Sequence, residues 1–104
     1  MKKIILVVLF VLLFSRSALC FTNGSELLRD CEAEPGVNSG VCYGYIRGIV
    51  DAGISNGRYC VPEGVKAREL KDIVVEFLNE NPEMLNKPTY NLVHGPILVA
   101  FPCQ

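Results

Sequence analysis

The chain has 104 residues, half of them hydrophobic, with ten Lys and Arg against eleven Asp and Glu. That length bounds it to one small domain, near the size at which an apolar core alone supplies little net stability. Lys2, Lys3 and Arg16 all lie in the first twenty residues, so the remainder keeps seven cations against eleven anions, which argues against nucleic acid or anionic membrane surfaces as partners.

Met1-Lys2-Lys3 is followed by an unbroken apolar run over residues 4–14 and then by Ser15-Arg16-Ser17-Ala18-Leu19-Cys20. A basic start, a short apolar core and small residues at the end form a secretory signal. The run is too short for a bilayer, which needs about 20 apolar residues, so no stable membrane insertion is expected. Cleavage after Cys20 places Ala18 and Cys20 at the two restricted positions and starts the mature chain at Phe21. A cut after Ser17 is the alternative. Lipidation at Cys20 is set aside because Leu19, not a small residue, precedes it. Residues 1–20 are thus read as a cleaved leader and residues 21–104 as a single domain, exported to the periplasm.

Within that domain, Asn23-Gly24-Ser25-Glu26 places an N-cap residue three positions before a Glu, with Leu27 and Leu28 behind it, and opens a helix that runs to about Cys31. Pro35, Gly36 and Asn38 mark residues 32–39 as a loop. A second helix is expected over residues 40–54. There Gly40, Gly44, Gly48 and Ala52 recur every fourth position, a smooth stripe that lets another backbone come close, read as tight packing inside the domain in preference to a dimerisation seam. Residues 55–58 form a turn, and residues 59–64 are extended. The third helix is the clearest: Leu70, Ile73, Val74, Phe77 and Leu78 make one apolar face, with Arg68, Glu69, Lys71, Asp72 and Glu76 opposite, until Asn81-Pro82 ends it. A last helix fits residues 88–101, with Pro88 in its first turn and a stripe of Leu92, Val93, Ile97, Ala100 and Phe101. Gly95-Pro96 should kink it. The predicted class is all-α, a small bundle of about four helices stapled by two disulfides.

Loss of Cys20 leaves Cys31, Cys42, Cys60 and Cys103, an even number that reads as two disulfides in an oxidising compartment. Antiparallel successive helices bring the end of the first beside the start of the second, and the entrance of the third beside the exit of the fourth. The expected pairs are therefore Cys31 with Cys42 and Cys60 with Cys103.

No arrangement of residues argues for catalysis or for a cofactor. His94 is the only histidine and, beside a Gly-Pro pair, reads as a surface or packing residue. The four cysteines are separated by ten, seventeen and forty-two residues, without the spacing of a zinc site. Neither a haem-attachment motif nor a glycine-rich phosphate loop occurs.

Four segments in order, N-G-S-E-L-L-R-D-C at 23–31, C-Y-G-Y-I-R-G-I-V-D-A at 42–52, Y-C-V-P-E-G-V at 59–65 and A-F-P-C at 100–103, resemble the Rap/Tai family of periplasmic immunity proteins. That family protects bacteria from cell-wall amidases injected by type VI secretion. The resemblance implies a helical homodimer that binds a papain-like peptidoglycan amidase and covers the cleft holding its catalytic cysteine. Two positions depart from the family's pattern: Lys66 stands where a Thr often caps the third helix, and Pro96 where Ala is preferred. The polar face of the third helix and the turn after it supply the candidate partner-binding residues, Arg68, Asp72, Glu76, Glu80, Met84 and Leu85. Tyr43, Tyr45, Arg47 and Tyr59 are further candidates, read more readily as core or dimer packing. The rival reading is a small periplasmic acid-stress chaperone, which would expose apolar surface as it loosens at low pH.

Overall fold

The computed structural model describes residues 1–14, 21, 23–33 and 35–104, and these contain helices and no strand. Helix α1 (Lys2–Phe14) covers the apolar run, and its side chains from Ile4 to Leu13 are exposed. The expected cleavage site at Cys20, and the alternative at Ser17, lie outside the described residues. Helices α2 (Gly24–Glu32), α3 (Val37–Ser55), α4 (Ala67–Glu80) and α5 (Thr89–Ala100) then form the expected four-helix bundle, with a 3-10 turn at Pro82–Met84 between the last two.

Local chemistry fixes most of the boundaries. Asn23 Oδ1 accepts from the Glu26 N–H at 3.1 Å, satisfying one of the orphan donors at the start of α2. The next is taken from outside the helix, where the Ser25 N–H donates to the Leu85 carbonyl at 3.1 Å. α3 begins at Val37, three residues before the expected Gly40. Asn38 and Ser39 belong to its first turn, where short polar side chains are tolerated because the backbone donors there are free. α4 ends at Asn81, whose backbone N–H and side-chain Nδ2 both donate to the Phe77 carbonyl, at 3.1 and 2.8 Å. Pro88 is the N-cap residue of α5 and not part of its first turn. Pro96 sits inside α5, which nevertheless continues to Ala100. Lacking an N–H, Pro96 leaves the Leu92 carbonyl without its helical donor.

One core holds the four helices. Leu27 from α2, Ile46 and Val50 from α3, Leu70, Val74 and Leu78 from α4, and Leu92, Val93 and Ile97 from α5 are all buried. Ile73, Phe77 and Phe101 are half-buried at its margin, while Ala100, expected on the apolar stripe, is exposed. Cys31 pairs with Cys42 and Cys60 with Cys103, with Cα–Cα distances of 5.1 and 5.0 Å. The first bridge is buried in the α2–α3 hairpin. The second is exposed and stands beside a Cys60 N–H to Phe101 carbonyl hydrogen bond of 2.9 Å, which ties the chain after α5 to the α3–α4 connection.

The expectation that the glycine stripe of α3 packs inside the domain is overturned. Gly40, Gly44 and Gly48 are exposed, and a Cβ on any of them would meet nothing within 4 Å. The recurrence every fourth residue picks out one face of the helix without saying which face the core occupies. Cys42, Ile46 and Val50, joined by Gly53, hold the opposite face. The close approach occurs at Gly53, where a Cβ would overlap the ring of Tyr59.

Candidate functional site

Tyr59, from the extended passage before α4, fills the space left by Gly53 and is 1 % exposed. Its hydroxyl donates to the Ile49 carbonyl at 3.2 Å. Burial holds the phenol above its ordinary range, with the neighbouring Tyr90 adding to the shift and Arg58 opposing it. This tyrosine is a core residue and offers nothing to a partner. Its ring lies 5.4 Å from that of His94, which in turn stacks on Tyr90 at 5.6 Å, and Arg58 Nη1 donates to the Tyr90 hydroxyl at 3.2 Å. His94 is therefore a packing residue, half-buried between two tyrosines, and its Nδ1 is buried with no hydrogen-bond partner. Among the described residues, no group of three or more His, Cys, Asp or Glu is placed to hold a metal ion.

Of the other aromatic candidates, Tyr45 meets the edge of Phe21 at 4.9 Å, and Tyr43 lies under the Lys71 ammonium at 5.5 Å. Arg47 is exposed on the rim of a cleft of about 490 Å³ between α3 and residues 61–67.

The candidates on α4 fall into two groups. Arg68, Asp72, Glu76 and Glu80 are exposed, as an amphipathic helix with its apolar face on the core requires. Asp72, itself exposed, makes a contact of 3.6 Å with the half-buried Lys71. Met84 and Leu85 turn toward the core and are half-buried, and the Leu85 carbonyl braces α2 through Ser25. The turn therefore presents Glu83, Asn86 and Lys87 fully, with only the edges of its two apolar side chains. The α4 surface is one continuous exposed face leading into a braced turn.

A family model of Rap1a immunity proteins matches residues 23–103. The chain belongs to this family. The match spans the whole helical bundle and all four cysteines, so the two staples lie within the unit that defines the family. No curated protein matches the chain. Membership of an immunity family implies a partner effector protein.

One feature of this surface is not foreshadowed by the helical patterns above. Between α4 and α5 runs a groove of about 580 Å³, walled by Ile73, Phe77, Pro96, Val99 and Ala100, with Glu76 on its rim. Its sequence signal was Val99, an apolar residue off the buried stripe of α5 and 82 % exposed.

Proposed function

We propose that this protein is a periplasmic immunity protein that binds a peptidoglycan amidase effector delivered by type VI secretion and inhibits it by covering its catalytic cleft. The observation that carries the reading is the immunity-family match across residues 23–103, which joins the leader-like start of the chain and the two disulfides of an oxidising compartment. Residues 1–20 are removed on export, and residues 21–104 act as the mature domain. Arg68, Asp72, Glu76, Glu80 and the edges of Met84 and Leu85 contribute to the inhibitory surface. A bundle with two staples enters the complex already ordered, which lowers the entropy lost on association.

The protein acts as a homodimer in this reading. The outer face of α3 supports it: Gly40, Gly44 and Gly48 leave room for a second backbone, and Val37 and Val41 are exposed beside them.

The test is a peptidoglycan-hydrolysis assay with type VI amidases from competing and sister bacteria, run with and without the oxidised protein. Hydrolysis should stop at a stoichiometric amount. An excess that leaves every amidase active, and co-purifies with none, refutes the reading.

A further inference from the structure

The groove between α4 and α5 has a chemical asymmetry that specifies what can lie in it. Its walls are apolar: Ile73 and Phe77 from one helix, Pro96 and Val99 from the other. Gly95 contributes no side chain, and a Cβ there would meet nothing within 4 Å. Leu98, next to Val99, is also exposed. Along the α4 edge, Glu69, Asp72, Glu76 and Glu80 recur at helical spacing and are all exposed. Arg68 and Lys71 fall on the other flank of that carboxylate row, away from Ile73 and Phe77, by the same spacing. The groove is thus apolar at its base, with Glu76 on its rim and the other carboxylates continuing that line along α4.

We propose that this groove receives an amphipathic segment of a partner protein, with apolar side chains against Phe77, Pro96 and Val99 and Lys or Arg side chains facing Asp72, Glu76 and Glu80. Charge selects this occupant over a second copy. A second copy seated here would bring its own carboxylate row, whereas a basic segment meets opposite charge at Glu69, Glu76 and Glu80 and competes with Lys71 for Asp72. The proposal rests on the immunity reading only for the identity of the protein that supplies the segment, the effector.

The test uses the oxidised protein and two labelled amphipathic helical peptides of about 14 residues, long enough for roughly four turns. One is built of Leu and Lys, the other of Leu and Glu at the same positions. Fluorescence anisotropy should show binding of the Leu/Lys peptide and not of its Leu/Glu counterpart, with affinity falling as salt rises. Val99→Ser removes apolar wall without changing charge at an exposed position, and should weaken binding about tenfold, as loss of an anchoring contact does. The triple variant Asp72→Asn, Glu76→Gln, Glu80→Gln should weaken it similarly and flatten the salt dependence. Equal binding of both peptides, unchanged binding by Val99→Ser, or a change in oligomeric state caused by Val99→Ser overturns the proposal, the last by making the groove an interface between copies. If the peptide fails to bind while the protein still blocks an amidase, the groove is refuted and the immunity reading stands. Peptide binding by a protein that blocks no amidase refutes the effector as the source and retains the groove.

Discussion

Replacing Gly53 by Ala and, separately, Gly44 by Ala makes the same chemical change on the same helix with opposite expected sign. At Gly44 the new methyl meets open space, so the gain is that of Ala over Gly in a helix interior, about 0.4–1 kcal/mol. At Gly53 it overlaps Tyr59, a ring with almost no exposure whose chain neighbour Cys60 is bridged to Cys103. The ring has no free direction in which to retreat. Overpacking of this kind destabilises by about 1–3 kcal/mol, and displacement of the hydroxyl from the Ile49 carbonyl adds about 0.5–1.5. The same propensity gain of about 1 offsets part of this, leaving a net loss of about 0.5–3.5 kcal/mol. In a domain of this size each kcal/mol moves Tm by about 4–8 °C. Urea unfolding of the oxidised variants, followed by circular dichroism, measures the difference. In a Tyr59→Leu background the Gly53→Ala penalty should shrink, because the overlapping ring is gone. A Gly53→Ala protein as stable as its parent, or a penalty unchanged by Tyr59→Leu, refutes the packing argument. If α3 is the dimer face, Gly44→Ala should lose its advantage only at concentrations where dimers form.

The longer bridge should matter more: closing 43 residues is worth about 4 kcal/mol in the chain-entropy model against about 3 for closing 11. Urea unfolding of Cys60→Ser/Cys103→Ser should show that loss of about 4 kcal/mol, and a dilute reductant should reach this exposed bridge before the buried one, as thiol labelling would reveal. Lys66 caps α4 without a side-chain hydrogen bond, so Lys66→Ser should raise stability by about 0.5–2 kcal/mol, and an unchanged Tm counts against the cap. Because burial makes the folded Tyr59 phenol ionise above its ordinary value of 10.0, its contribution is complete below pH 10.0 and is lost as pH rises through the folded value. Urea midpoints taken across that range should fall for the parent and fall less for Tyr59→Phe.

Much of this fold was legible because its signals are local. The Asn23 cap, the 3.6-residue periodicity of Leu70, Val74 and Leu78, the Pro82 stop and the four cysteines each constrain a short stretch, and antiparallel hairpins then dictate the disulfide pairs. Placement of the α3 glycines failed for the opposite reason. α3 is apolar or small on nearly every side, so periodicity within the helix cannot tell its inner from its outer face. Only Tyr59, which arrives from beyond the next turn, shows that Gly53 is the residue held close. Val99 escaped notice similarly, because a groove needs two helices and a sequence presents one at a time. For the partner surface, exposure of Arg68, Asp72, Glu76 and Glu80 follows from amphipathicity alone. The inward turn of Met84 and Leu85 depends on a backbone contact with α2 that no pattern encodes.

Both disulfides join cysteines that are neighbours in chain order, each confined to its own helical hairpin. Of the three connectivities open to these four cysteines, this is the one reached when each thiol from Cys31 onward is oxidised with the next to emerge. A chain threaded through a membrane N-terminus first can close the α2–α3 bridge before α4 and α5 have arrived, and can close the second without disturbing the first. The native pairing thus requires no exchange of partners through mixed disulfides.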